Sequence, residues 1–122
     1  MNKFLSYGQQ WIDQNDIDSV IETLKSDYLT QGPKVRQFAN KLCEITGAKY
    51  CVAVANGTAA LHLAVKALKI EEGKEGITSP NTFVASANCM AYNNLKPKFA
   101  DIDKRDYNID PDKIKQQITK NT

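Results

Sequence analysis

The fold is decided by the segment Tyr50-Cys51-Val52-Ala53-Val54-Ala55-Asn56-Gly57-Thr58, in the middle of the chain. It opens with a short apolar run containing β-branched side chains, which predicts a strand buried on both faces of a parallel sheet. Asn56-Gly57 predicts a tight turn, and apolar residues recur at helical spacing from Thr58 to Ile70. The segment therefore predicts a strand, a turn and a helix, which is the opening of an α/β unit.

Upstream of this segment, the sequence predicts two amphipathic helices. Apolar residues spaced three and four apart predict a helix over Asp13–Lys25, with acidic residues in its first turns. A second helix is predicted from Pro33, whose ring suits a first helical turn, to about Gly47, which suits a left-handed terminal position. Residues 1–11 have no periodicity and are predicted to form an extended arm.

Downstream, predicted strands and helices alternate. Strands are predicted near Ile77–Ser79 and over Lys98–Ile102, and helices over Val84–Tyr92 and from Pro111. This alternation predicts parallel strands joined by crossovers in an open α/β sheet. A crossover helix normally leads back into a strand, and no strand pattern follows the last helix. The expectation is therefore the incomplete first part of a larger protein.

Composition and charge exclude several classes of protein. The 122 residues are 42% hydrophobic and 25% charged, which excludes disordered and low-complexity chains. The net charge of +2 is too balanced to favour nucleic acid or a membrane surface as a partner. No apolar run approaches the roughly 20 residues of a membrane span. Three widely spaced cysteines indicate a reducing compartment and the N-terminus has no secretory pattern, so a cytoplasmic location is expected.

The turn at Asn56-Gly57 is a candidate anion site. Backbone N–H groups at a helix start are unpaired and lie at the positive end of the helix dipole. Gly57 lets a ligand approach the backbone, and Thr58 adds a hydroxyl, so the carboxyl end of the predicted strand suits a phosphate or a carboxylate. The alternative is an ordinary capped helix after a glycine turn. The sequence lacks both the Gly-Lys-Thr/Ser signature of a P-loop and the GxGxxG of a dinucleotide fold.

The segment Thr78–Asn88 also follows a predicted strand and is expected at the same sheet edge. Within it, Phe83 would suit a wall for a flat ring, although core packing is the commoner role of a phenylalanine. The single histidine, His62, is expected to be a surface or packing residue. The aspartates of 101–112 are explained by caps and solvation. No metal-ligand spacing is present, so no metal site is predicted.

Taken together, these segments resemble the sugar aminotransferases of the DegT/DnrJ/EryC1/StrS type, which use pyridoxal phosphate. The matching strings are, in order, Leu5–Gln10, Ser26–Pro33, Asn56–Ala64, Thr78–Cys89, Phe99–Asp103 and Asn108–Asp110. The strings Leu29–Pro33 and Phe83–Cys89 most resemble the subgroup of UDP-4-amino-4,6-dideoxy-N-acetyl-altrosamine transaminases of the pseudaminic acid pathway. The resemblance covers nearly the whole chain and implies an aspartate-aminotransferase-like fold of type I, whose members are several-fold longer.

The resemblance implies roles at matching positions. Gly57, Thr58 and Ala59 would hold the cofactor phosphate, mainly through backbone N–H groups, and Phe83 would stack on the pyridine ring. The residues implied near the sugar substrate or the partner subunit are Tyr7, Thr30 and Gln31. The implied division is an arm, helix and substrate-side loop over 1–33, followed by an incomplete α/β cofactor-binding domain over 34–122.

The resemblance also implies that the catalytic residues are not among these 122. The family's lysine that bonds the cofactor and its aspartate that pairs with the pyridine nitrogen would lie beyond Thr122, so this chain alone is expected to be inactive. The implied full-length enzyme is a cytoplasmic homodimer that transfers an amino group from L-glutamate to C4 of a UDP-4-keto-6-deoxy-hexosamine. The alternative is a non-catalytic, truncated phosphate-binding or assembly module.

Overall fold

The computed structural model describes residues 6–122, which fall into two compact units. The first unit ends at Ala53 and the second spans Val54–Thr122. Residues 1–5 of the predicted arm lie outside the described residues, and 6–13 form neither helix nor strand. The division at 33/34 follows the roles implied by the resemblance and stays a prediction.

The first unit contains helices α1 (Gln14–Leu24) and α2 (Pro33–Thr46). Helix α1 begins at a reciprocal capping box: Asp16 N donates to Asp13 Oδ1 over 3.1 Å, and Asp13 N donates to Asp16 Oδ2 over 3.0 Å. Helix α2 begins at Pro33 and ends at Gly47, whose φ of 72° is the left-handed conformation that glycine favours. Both helices are confirmed, and neither contains a buried residue.

The second unit is a small α/β assembly. Its elements are α3 (Gly57–Ala67), β1 (Glu75–Thr78), α4 (Ala85–Ala91), β2 (Lys96–Phe99) and α5 (Pro111–Gln117). Strands β1 and β2 pair in parallel, with Glu75 opposite Lys96 and Thr78 opposite Phe99, and α4 lies between them in sequence. The predicted parallel pairing across a helical crossover is confirmed.

The core of the second unit lies where α4 packs on the two strands. Its buried residues are Ala85, Cys89, Met90, Leu95 and Ala100. Val65 of α3 packs against this cluster from a partly buried position. A Cβ atom at Gly76 would overlap the Sδ of Met90, so the glycine in β1 leaves room for the Met90 side chain of α4 over the strand.

The strand predicted over 50–55 is not formed. A strand exists only through hydrogen bonds to a neighbour, and no strand among residues 6–122 pairs with this run. Helix α3 begins at Gly57 and is capped by Asn56, one residue earlier than the predicted start at Thr58. The third predicted strand is shifted to Lys96–Phe99, and beyond it Ile102 forms an isolated antiparallel bridge with Ile109.

Candidate functional site at the start of helix α3

One wall of the candidate site is the first turn of α3, which Asn56 organises. Asn56 has extended backbone, its Oδ1 accepts the N–H of Ala59 over 2.9 Å, and its carbonyl accepts the N–H of Ala60 over 3.1 Å. Within residues 6–122, the N–H groups of Gly57 and Thr58 have no protein acceptor. These two donors stand at the positive end of an 11-residue helix, which is the arrangement that binds anions.

The other wall is the segment that leads into α4, and hydrogen bonds fix its shape. Ser86 N donates to the carbonyl of Phe83 over 3.0 Å. The hydroxyls of Thr82 and Ser86 lie 3.0 Å apart. The thiol of Cys89, a buried core residue, donates to the carbonyl of Ser86 over 3.3 Å. The side chain of Phe83 is 73% exposed, so its ring is not a core-packing group.

The two walls enclose one shallow cavity of about 500 Å³, within the range of about 300–1,000 Å³ typical of small-molecule sites. Its lining residues are Gly57, Thr58, Leu61, Phe83, Ala85 and Ser86. Of the four residues predicted to bind the cofactor, the structure brings together Gly57, Thr58 and Phe83, which come from two separate segments of the sequence. The fourth, Ala59, is not among the lining residues, and its N–H is already donated to Asn56.

Sequence reasoning missed three lining residues, which are Leu61, Ala85 and Ser86. Leu61 is one of the apolar residues at helical spacing after Thr58, and it lies one turn after Thr58 on the same side of the helix. Ser86 stands three residues after Phe83, a spacing that places both on one side of a helical turn. The spacing of Ser86 from Phe83 could have indicated that it lies beside the cavity, but a serine hydroxyl alone does not indicate a particular ligand or reaction.

The residues of the cavity fit a phosphate ester of a flat ring. A Cβ atom built on Gly57 would meet nothing within 4 Å, so the space in front of the helix start is open. Unpaired N–H groups and the Thr58 hydroxyl suit the phosphate, and the exposed Phe83 ring suits the face of a flat heterocycle. No basic side chain lines this cavity among the described residues, so the helix dipole supplies the attraction for an anion.

The residues implied on the substrate side all belong to the first unit. Tyr7 is fully exposed. Gln31 follows Thr30 in the loop between α1 and α2 and has a φ of 52°. Gln31 also lines a surface concavity of about 470 Å³ within the first unit, together with Gly32 and Arg36. Their proposed contacts with a sugar remain predictions.

Other polar groups of the second unit have structural roles. The ring of His62 contacts that of Tyr92 edge to face, with centroids 5.5 Å apart, which is the packing role expected of it. Arg105 donates hydrogen bonds to Asp103 and thereby lowers the pKa of that carboxyl. Asp110 caps α5 by accepting the N–H of Asp112 over 2.8 Å. Across residues 6–122, no cluster of side chains has the makings of a metal site.

None of the helices in the described part of the chain is long and apolar enough to cross a membrane.

Comparison with known proteins identifies the family. Residues 10–122 match the DegT/DnrJ/EryC1/StrS aminotransferase family. The chain belongs to this family. The predicted resemblance is confirmed, and with it the fold class, because the family's solved members have the type I aminotransferase fold.

Curated relatives match almost all of the chain. The spore coat polysaccharide biosynthesis protein SpsC of Bacillus subtilis is 46% identical over 121 residues, covering 99% of this chain and 31% of SpsC. A UDP-4-amino-4,6-dideoxy-N-acetyl-β-L-altrosamine transaminase of Campylobacter jejuni is 43% identical over 118 residues, covering 97% of this chain and 31% of the transaminase. The chain thus spans about a third of the length of these relatives.

Solved structures of this family superpose closely on the chain. Helicobacter pylori PseC, an aminotransferase of pseudaminic acid biosynthesis, has a TM-score of 0.87 at 33% identity, covering 98% of this chain and 33% of PseC. The pyridoxal-phosphate form of the sugar aminotransferase Spr1654 from Streptococcus pneumoniae has a TM-score of 0.85 at 29% identity. The match covers 97% of this chain and 30% of Spr1654.

Proposed function

We propose that this chain is the cofactor-phosphate part of a nucleotide-sugar aminotransferase that depends on pyridoxal phosphate. The whole protein would transfer an amino group from L-glutamate to C4 of a UDP-4-keto-6-deoxy-hexosamine. The observation that carries the proposal is the cavity that joins Gly57 and Thr58 to Phe83. The similarity to the Campylobacter jejuni transaminase and to PseC supports the choice of a nucleotide sugar of the pseudaminic acid type.

In this proposal the chain binds and orients the cofactor. The N–H groups of Gly57 and Thr58, with the Thr58 hydroxyl, would hold the phosphate at the start of α3. Ala59 would join them only if its N–H is shared with or released from Asn56, to which it now donates. The Phe83 ring would cover one face of the pyridine and exclude water from it. When bound, pyridoxal phosphate supplies the electron-withdrawing ring through which an amino group is exchanged.

The remaining parts of the proposal concern partners and location. Tyr7, Thr30 and Gln31 would contact the sugar substrate or the second subunit of a homodimer. We expect the lysine that bonds the cofactor and the aspartate that pairs with its ring nitrogen to be supplied beyond Thr122. Three free cysteines in the described residues support a reducing compartment, and we propose the cytoplasm.

The test compares cofactor affinity in the whole protein and three variants, measured by absorbance titration with pyridoxal phosphate. Thr58→Ala removes one hydrogen bond to a charged group, so we expect affinity to fall about 10-fold. Phe83→Ala removes the stacking wall and should weaken binding to a similar extent. Phe38→Ala, which truncates an exposed aromatic ring of the first unit, is the matched control and should leave affinity unchanged.

Activity is measured in the same preparations with L-glutamate and a UDP-4-keto-6-deoxy-hexosamine. Amino transfer by the wild-type protein that falls with Thr58→Ala and Phe83→Ala supports the proposal. Equal cofactor affinity in all four proteins would falsify the assignment of this cavity. Cofactor binding with no amino transfer would instead support the non-catalytic phosphate-binding or assembly module.

A further inference from the structure

We propose that the paired hydroxyls of Thr82 and Ser86 form a second polar contact of the cavity, which binds the ring end of the cofactor while α3 binds its phosphate. The inference rests on the proposed function, because it takes pyridoxal phosphate as the ligand. It assigns a binding role to Ser86, which the sequence did not single out.

Three hydrogen bonds hold Ser86 in place. Its N–H donates to Phe83 over 3.0 Å, its carbonyl accepts the thiol of Cys89 over 3.3 Å, and its hydroxyl lies 3.0 Å from that of Thr82. Because Cys89 is 5% exposed and belongs to the core, these bonds tie the wall to the most buried part of the unit. The contact with Thr82 orients the Ser86 hydroxyl, so less rotamer freedom is lost when this side chain binds a ligand.

Neither hydroxyl of the pair caps α4, although Thr82 precedes this helix and Ser86 lies in its first turn. The N-cap position of α4 is Val84, which has no side-chain capping bond. Within residues 6–122, Thr82 is the only protein partner of the Ser86 hydroxyl. In a pair of hydroxyls one donates to the other, so one O–H and several lone pairs stay available. The pair can therefore donate to or accept from a ligand in the cavity that Ser86 lines.

The two polar contacts suit different ends of the ligand. A phosphate is best bound by the aligned N–H groups of Gly57 and Thr58, because a helix start adds a favourable dipole. Two neutral hydroxyls offer no comparable field, but they match an uncharged or delocalised polar substituent on a heterocycle. Phe83 and Ala85 are the other lining residues of this wall and are apolar, so the hydroxyl pair is its source of side-chain hydrogen bonds.

The experiment separates the two ends by using three ligands with the whole protein freed of cofactor. Each ligand is titrated into four proteins: wild type, Ser86→Ala, Thr82→Val and Thr58→Ala. The ligands are pyridoxal phosphate, pyridoxal and inorganic phosphate, and inorganic phosphate is measured as a competitor of pyridoxal phosphate. We expect Ser86→Ala to weaken pyridoxal phosphate and pyridoxal by about 3- to 10-fold, the range of one hydrogen bond, and to leave inorganic phosphate unchanged. Thr58→Ala should show the opposite pattern and weaken only the two phosphate-bearing ligands.

Two further variants keep the result interpretable. Thr82→Ser retains the hydroxyl and should restore wild-type affinity, whereas the double variant Thr82→Val/Ser86→Ala should lose less than the sum of the single losses if the two act as a pair. A Ser86→Ala protein that binds all three ligands like wild type, or that loses inorganic phosphate in parallel, would overturn the proposal. A wild-type protein that binds no pyridoxal phosphate would overturn the proposed function itself, and the inference with it.

Discussion

Helix α1 of the first unit and helix α4 of the second differ in burial, because α4 is packed against the two strands of its unit. None of the 11 residues of α1 is buried, and Leu24 is 63% exposed. In the seven-residue α4, by contrast, Ala85, Cys89 and Met90 are buried. The longer helix has a capping box and no buried residue, whereas the shorter one has no side-chain cap and contributes to the core. Amphipathicity therefore predicts that a helix forms, whereas the strands beside it decide whether its stripe is covered.

The apolar residues of α1 form an exposed stripe on the surface of the first unit. They are Ile17, Val20, Ile21 and Leu24, each between 41% and 63% exposed, and Ile12 just before the helix is exposed as well. Contiguous apolar surface of this kind is costly in water and marks a site of interaction when it is large. The second unit instead buries Cys89, Met90 and Leu95 in one cluster, so the same substitution should have different effects in the two units.

The largest expected difference comes from one leucine in each unit. Leu95→Ala deletes a side chain that is 6% exposed in the core and should cost about 2–5 kcal/mol of unfolding free energy. Leu24→Ala removes exposed methyl groups and should change stability by less than about 0.5 kcal/mol. Urea denaturation with hydrogen exchange followed in each unit gives both values. An equal loss from Leu24→Ala would break the comparison, since it would mean that the stripe of α1 is covered in solution.

The same contrast explains which parts of the fold could be predicted. Helices α1 and α2 were predicted to within about a residue, because helical apolar spacing, a proline at a helix start and a left-handed glycine at a helix end act locally. The run at 50–55 was predicted as a strand and is not one. Its apolar pattern is indistinguishable from that of a buried strand, but pairing depends on residues far away in sequence, which periodicity does not report.

The candidate site was predictable to a similar extent. Gly57, Thr58 and Phe83 were found because a helix start and an aromatic next to a strand carry their chemistry in the residue type. Ser86 was not found, since a serine is informative only once its hydroxyl is seen 3.0 Å from that of Thr82. The occupied N–H of Ala59 could not be read from sequence either, because the helix begins one residue earlier than predicted.

An intermediate effect is expected from the two helix caps. Asp13→Ala and Asn56→Ala each remove a side-chain acceptor at a helix start and should each cost about 0.5–2 kcal/mol within their own unit. Only Asn56 caps the helix whose first residues line the cavity, so only its substitution should alter the affinity for pyridoxal phosphate. Asn56→Asp is the sharper variant, because it keeps an acceptor for Ala59 but places a negative charge beside the phosphate.

Stability and cofactor affinity are measured on all three cap variants. Asn56→Asp should unfold like wild type and bind pyridoxal phosphate more weakly, which separates the cap from the anion site. A loss of cofactor affinity in Asp13→Ala as large as in Asn56→Asp would contradict the assignment of the site to the second unit alone.

The smallest expected effect concerns acid sensitivity. Glu75 of β1 accepts a hydrogen bond from the Thr119 hydroxyl over 2.6 Å and lies 3.4 Å from the ammonium of Lys98. These contacts, Thr119 first, lower the pKa of Glu75 from its ordinary value of 4.5. A carboxyl with a lowered folded pKa stabilises the fold above its unfolded pKa, and this contribution is lost as the pH falls through the folded value.

The stability of the second unit should therefore decline below about pH 4.5, and Glu75→Gln should make that decline shallower because the glutamine has no proton to gain. Glu22→Gln is the matched control in the first unit, where the Glu22–Lys34 pair at 3.0 Å is exposed and exposed pairs contribute little. Urea midpoints between about pH 3 and 7 give the profiles. If Glu75→Gln follows the wild-type profile throughout, the bond to Thr119 does not hold the end of the described chain against β1. If Glu22→Gln makes the decline of the urea midpoint at low pH as shallow as Glu75→Gln does, the two ion pairs contribute equally to acid sensitivity. The contrast between the two units would then hold for their packing and not for their electrostatics.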